Sequence, residues 1–312
     1  MKTFIKTAGA ASLLAMAVGS ASVSAAVLPY LTFSQNAGWS NQNSQFNGGP
    51  NGLTGLFFNN PTGPDAPANT FADMSWTSTL NNNTSSINLT SFNSSSSPTL
   101  ATDADDKWQA GEFWVIDDLL QTNNVLNVTN GNNIPDPLWI ADTLANLRIF
   151  SDLGIADANL LIADLNSKTT IEFYETLNTT GTCPSDAPLG TQCDDIYRIA
   201  AIELAPLTFD YLGFKYTIDF ALAPGPSKNA NGDVVGSTLV CPSADPRCDD
   251  VDTEGQVWVF TPEFRPGTSS LYVTMAWSAQ EIPNKVPEPS VLALLGFGVL
   301  GAAFATRRRK LS

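Results

Sequence analysis

The chain reads as all-β: an antiparallel β-sandwich, jelly-roll-like or Ig-like, with long polar loops. Three observations carry that reading. In the stretch from Phe209 to Leu222, Leu212, Phe214, Tyr216, Ile218, Phe220 and Leu222 alternate with Lys215, Thr217 and Asp219. A period of two puts one set on a buried face and the other in water, the pattern of a half-buried antiparallel strand. The same alternation returns at Lys168–Thr176 and at Leu271, Val273, Met275 and Trp277. Finally, Asn231-Gly232 inside the Pro224–Gly236 turn is a strong hairpin signal. Between the termini only Asp152–Asp164 competes as a helix.

In chain order, Leu28–Phe33 predicts a strand, and Gln35–Pro50 is a polar stretch of Asn, Gln, Ser and Gly. Gly55–Phe58 and Phe71–Trp76 are short apolar pieces separated by a turn-rich segment. Within the low-complexity run Asn81–Ser97, Ile87 and Leu89 mark a single strand. Its Asn-x-Ser/Thr sequons at Asn82, Asn88 and Asn93 read as hydrogen-bonding loop. Glu112–Ile116, Val125–Val128, Leu144–Phe150, Ile196–Leu204 and Val257–Phe260 complete the predicted strands.

Composition narrows the function classes. Formal net charge is −15 and charged residues make up 14%, against about 25% in an average soluble protein. Asn, Ser and Thr take their place. No cluster of Lys and Arg in the body could meet phosphate, which excludes nucleic acid as a partner. Histidine is absent, which removes Ser-His-Asp and Cys-His nucleophile systems and histidine-ligated metals. Carboxylate chemistry remains, with Glu112, Asp117, Glu172 and Glu203 as candidates. Nothing in their spacing pairs any two, so the expectation is a non-enzyme.

Cysteines fall in two near pairs, Cys183 with Cys193 and Cys241 with Cys248. Under oxidising conditions local pairing would close two short loops, each worth about 2–3 kcal/mol by loop entropy; other connectivities remain open. The loops echo each other, Cys183-Pro184-Ser185 to Cys193-Asp194-Asp195 and Cys241-Pro242-Ser243 to Cys248-Asp249-Asp250. No cofactor is expected. Asp249, Asp250, Asp252 and Glu254 are weak calcium candidates: the run resembles the start of an EF-hand loop, but its twelfth position is Thr261 where a bidentate Glu is needed.

Both termini read as targeting segments. Met1 to Ala26 has Lys2 and Lys6, an apolar stretch from Ala8 to Val18, and then small residues, the layout of a secretory signal peptide. At the other end Pro287-Glu288-Pro289 precedes an uncharged run to Thr306 and then Arg307, Arg308, Arg309 and Lys310. As a helix that run would be about 27 Å long, close to the hydrocarbon thickness of a bilayer. The basic cluster would hold its end in the cytoplasm. Gly296, Gly298 and Gly301 spell G-x-G-x-x-G, but inside an apolar span they serve helix packing, not dinucleotide binding. The expected organisation is a signal peptide over 1–26, a secreted body over 27–285 and a sorting signal over 286–312.

The C-terminal layout resembles the PEP-CTERM sorting signal of Gram-negative bacteria. That resemblance implies export through the translocon, a transient inner-membrane stage, recognition by an exosortase, and delivery to the cell surface or exopolysaccharide matrix. A second, narrower resemblance is to the THxN family of such cargo. It rests on Thr129-Asn130-Gly131-Asn132, on Glu175-Thr176-Leu177-Asn178, on Cys183–Asp195 and on Tyr211–Tyr216. Asn130 stands where the name-giving histidine would be. Of that motif Thr129, Asn132, Glu175 and Asn178 are the matching positions.

The expectation is therefore an exported structural or adhesive matrix protein in contact with extracellular polysaccharide. The competing expectation is a carbohydrate- or calcium-dependent binding module, with Trp39, Trp76, Trp108 or Trp139 in loops as stacking faces for sugar; in the structural reading the same tryptophans are core or loop plugs.

Overall fold

The computed structural model describes residues 28, 30–47, 52–97, 107–124, 126, 137–151, 160–175, 188–189, 194–249, 251, 255–262 and 266–282. Val27–Glu281 makes one compact unit. Its strands are β1 (Thr32–Phe46), β2 (Phe57–Pro61), β3 (Thr70–Thr77), β4 (Thr84–Ser91), β5 (Trp114–Asn123), β6 (Trp139–Phe150) and β7 (Leu161–Tyr174). They continue as β8 (Asp195–Ala200), β9 (Leu207–Tyr211), β10 (Phe214–Asn229), β11 (Val234–Ser237), β12 (Leu239–Cys241), β13 (Gln256–Thr261) and β14 (Gly267–Glu281). The fold is all-β and antiparallel, as the alternation predicts.

The predicted two-layer sandwich gives way to one continuous sheet. Its order is β11-β10-β14-β5-β4-β3-β1-β6-β7-β8-β13-β12, with β2 against β3 and β9 against β10. A lone sheet has to cover its own apolar face, and this one does so by curling. One core cluster joins Phe33 of β1 and Ile149 of β6 to Tyr216 of β10 and Met275 of β14, strands far apart in the ladder. The curl is fastened where the chain passes from one end of the sheet to the other. β11 and β12 are the two terminal strands, and only Thr238 separates them.

Thr238 is 1% exposed and works as a staple. Its backbone N–H donates to the Gly225 carbonyl at 3.0 Å, and its Oγ1 accepts from the Gly225 N–H at 2.9 Å. The same Oγ1 donates to the Ser270 carbonyl at 3.0 Å. Gly225 is required by closeness: a Cβ there would lie 2.5 Å from the Ser270 carbonyl oxygen.

Inward-facing side chains sort by size along the curl. At one end Trp39, Trp76, Trp139, Phe173 and Tyr197 interlock, with Trp139 stacked on Phe173 at 5.0 Å. At the other, Phe33, Trp108, Trp114, Tyr216 and Trp277 form a second plug, and Trp277 Nε1 donates to the Trp108 carbonyl at 2.9 Å. Between the plugs β1 and β6 contribute Ala37, Thr143 and Ala145, and β7 contributes Ser167 and Thr169. These small residues leave space.

Several expectations need correction. The polar Gln35–Pro50 stretch is largely strand: β1 pairs with β6 from Thr32↔Phe150 to Phe46↔Trp139, and its Gln35 and Ser40 are buried. The predicted single strand Phe209–Leu222 is a hairpin. It turns at Leu212 and Gly213, both at positive φ, and Tyr211 faces Phe214 across the pair. The helix candidate Asp152–Asp164 ends in β7, whose alternation starts at Leu161, while 152–159 lie outside the described residues. Of Val125–Val128, only Leu126 is described.

Thr238→Val keeps the shape and removes the hydroxyl, which leaves the Gly225 N–H and the Ser270 carbonyl without that partner. A loss of about 2–4 kcal/mol in unfolding free energy is expected, read by urea denaturation, with Thr238→Ser restoring most of it. Equal stability of all three proteins would show that the seam does not fasten the curl.

Candidate functional site

The space between the aromatic plugs is a cavity of about 430 Å³, within the usual range for small-molecule pockets. Its inner wall is aliphatic, formed by Ala37, Leu89, Leu119, Ile171, Ile199 and Leu271. Phe220, Leu222 and Val273 complete the far side. The cavity reaches solvent along a slit. β7 pairs with β8 only from Ile171 to Tyr174, and among the described residues no ladder joins its first half to β9. Asn166, Ser167 and Lys168 line one lip, and Glu203, Ala205 and Leu207 the other.

Two polar side chains stand at the buried end. Gln35 is 6% and Asp117 5% exposed. Gln35 Nε2 donates to Asp117 Oδ2 at 2.9 Å, and Ser91 Oγ donates to Asp117 Oδ1 at 2.6 Å. Gln35 Oε1 is buried with no hydrogen-bond partner. Burial raises the Asp117 carboxyl from its ordinary 3.8 to about 6, against the lowering effect of the hydrogen bonds from Ser91 and Gln35. At the slit, Lys168 Nζ lies 2.9 Å from Asp142 Oδ2. Burial would raise Asp142, but the donors Lys168, Thr170 and Asn43 together hold it below the ordinary carboxylate range.

The four carboxylates singled out from the sequence separate. Asp117 and Glu203 reach the same cavity. Glu203 accepts from the Thr170 backbone N–H at 3.3 Å. Glu112 accepts from the Gln109 backbone N–H at 2.8 Å, and Glu172 accepts from Tyr174 Oη at 2.9 Å. Both of these lie off the cavity. The tryptophans proposed as sugar-stacking faces are core: Trp39, Trp76, Trp108 and Trp139 are each 0% exposed. No indole face among them is open to a ligand.

Cys241 is bonded to Cys248 with Cα atoms 5.6 Å apart. Cys183, Cys193, Thr129, Asn132 and Asn178 lie outside the described residues, and Glu175 sits half-buried just after β7. Of the calcium candidates, Asp249 is exposed, and Asp250, Asp252 and Glu254 lie outside the described residues. Among the described residues no group of three or more His, Cys, Asp or Glu could hold a metal. Pro287, Glu288, Pro289, Arg307, Arg308, Arg309 and Lys310 also lie outside them, as does the predicted apolar span. The cavity was invisible in the sequence, where Gln35 read as loop; the signal that could have found it is the run of small residues facing inward on β6, Ala141, Thr143 and Ala145.

Asp117 sets a pH dependence with a definite sign. The folded chain holds its proton more tightly than the unfolded chain, so stability falls as pH rises from 3.8 to about 6 and is flat beyond. Asp117→Asn is expected to erase that loss and to be more stable than the parent by about 3 kcal/mol above the interval. Urea denaturation across acid and neutral pH checks this; a constant difference between the two proteins would contradict it.

No curated protein and no solved structure matches the chain. One family model does, over residues 285–310, and its description is PEP-CTERM protein-sorting motif. The match covers the Pro-Glu-Pro triplet, the apolar run and the basic cluster. The chain therefore carries a PEP-CTERM protein-sorting motif at its C-terminal end, the mark of exosortase-dependent sorting to the bacterial cell surface.

Proposed function

We propose that the protein is a non-catalytic structural component of the cell surface or its polysaccharide matrix, exported by an N-terminal signal peptide and released from the inner membrane by an exosortase. The sorting motif at 285–310 is the observation that carries this reading. The outward side of the body supports it. Asn41, Gln42, Asn43, Asn59, Asn60, Asn82 and Asn83 are exposed amides, each able to donate and accept toward a hydroxyl-rich matrix. With a net charge of −15 the chain also stays apart from other anions.

What supports the absence of turnover is chemical. The chain has no histidine. Of its acids, Asp117 has both carboxylate oxygens engaged, by Ser91 and Gln35, and the wall around it is aliphatic. A sugar ring placed there would give up the hydration of several hydroxyls for one open acceptor, Gln35 Oε1. Polysaccharide contact accordingly belongs to the outer surface. The THxN resemblance would narrow the address further; of its four motif positions only Glu175 is described.

Replacing Pro287 and Glu288 together by Ala should leave the chain uncleaved in the inner-membrane fraction and deplete it from the matrix. Mass spectrometry of the matrix form of the parent should find no peptide from Arg307 onward. Normal release of the double variant would remove the sorting step from this reading.

A further inference from the structure

We infer that the cavity inside the curled sheet is a binding site for a neutral, aliphatic molecule bearing a hydroxyl group, with the hydroxyl bonded to Gln35 Oε1 and the hydrocarbon lying along the aliphatic wall. Small residues make the space: Ala37, Ala145 and Ser167 stand where the two ends of the curl carry Trp and Phe. A void of about 430 Å³ leaves its lining without dispersion partners, a loss that an apolar guest recovers.

The head group follows from the polar atoms at the buried end. Gln35 Oε1 is an acceptor with no partner in a residue 6% exposed, and an unmet buried acceptor is costly. The Asp117 oxygens beside it are acceptors too. The site thus asks for a donor. An ammonium would have to leave water for a chamber whose carboxylate, Asp117, already has both oxygens engaged by Gln35 and Ser91, a larger penalty than that of a hydroxyl. A carboxylate head would meet the Asp117 carboxylate, and Gln35 Nε2 has already given one of its two N–H groups to that same carboxylate. Nor can Lys168 at the slit draw an anion strongly, because Asp142 lies 2.9 Å from its Nζ. Charge therefore excludes fatty acids and selects alcohols.

The slit between β7 and the Glu203–Leu207 segment is the entry. It lies along the first half of β7, on the edge away from β6, where among the described residues no strand ladder follows, so a chain-like guest can enter sideways with both aromatic plugs intact. This inference is independent of the matrix role: it concerns what the body carries, not where it is sent.

Isothermal titration of the full chain, kept in solution by a fluorinated surfactant at mildly alkaline pH, tests it with n-decanol, n-decylamine and decanoate. The expected result is one n-decanol per chain, with the other two weaker by about tenfold or more. Ala145→Phe, which fills the cavity, should abolish binding while near-ultraviolet dichroism stays that of the parent. Gln35→Met, which removes the acceptor and keeps the volume, should weaken n-decanol by about tenfold and leave n-decane unaffected. No n-decanol binding up to its solubility limit, decanoate binding as tightly as n-decanol, or an unchanged affinity in a folded Ala145→Phe protein would each overturn the proposal.

Discussion

A sheet with no second layer must bury its own apolar face, and every other feature of this body follows from how it does so. β-Strands twist, and a sheet of this many strands curls when its ends can be joined. Here the joint is a single residue. Thr238 sits between the two terminal strands, and Gly225 lets the Ser270 backbone come close enough to bond it. Polar contacts across the curl reinforce the seam. Gln121 and Asn123 of β5 donate to Asp195 of β8 at 3.1 and 2.9 Å, and Gln35 of β1 bonds Asp117 of β5. None of these strand pairs is adjacent in the ladder. Buried amide-carboxylate bonds of this kind fix which faces oppose, because a slip would strand a charge in the interior.

Closure of that kind settles the contents of the interior. A curled sheet has two ends, and large aromatic side chains fill both, held in edge-on and stacked pairs such as Trp39 with Trp139 and Phe209 with Tyr216. Filling the middle to the same density would have needed large residues on β6 and β7. The chain has Ala, Thr and Ser there instead. A carboxylate among aliphatic side chains is then tolerable because two donors reach it and because the slit lets water approach the lips. Stability and the cavity are thus opposed: the same Asp117 that helps tie β1 to β5 disfavours the folded state once ionised.

The strand periodicity was the most legible layer of the sequence, and it failed in two informative places. β1 hides because its inward face carries Gln35 alongside Phe33, Ala37 and Trp39, and its outer half is Asn and Gln. Polar residues that face a cavity or bond across a curl break the alternation that marks a half-buried strand. The β9–β10 hairpin hides for the opposite reason, since Leu212 keeps the alternation going while sitting 57% exposed at the turn. The difference between a sandwich and a curled sheet lies beyond periodicity altogether. Both show the same alternation, and what distinguishes them is that the consecutive strands β11 and β12 pair with β10 and β13 at opposite ends of one ladder. The sorting signal was legible because it depends on composition over a short window, where no tertiary contact can override it.

The seam also explains the place of the Cys241–Cys248 disulfide. An open sheet presents two edges, and exposed edges invite pairing with other chains. This one keeps both edge strands short: β11 is Val234–Ser237 and β12 is Leu239–Cys241. A strand of three residues holds itself in place poorly, yet Leu239 and Cys241 are buried against Phe260 and Ile196. The bond from Cys241 to Cys248 closes the loop that follows β12 directly. By limiting the unfolded freedom of that loop it favours the docked edge, a few residues from Thr238. Edge, seam and cross-link therefore act on one corner of the body. That concentration suits a protein that carries a sorting motif for the cell surface, where a frayed edge would meet neighbouring copies.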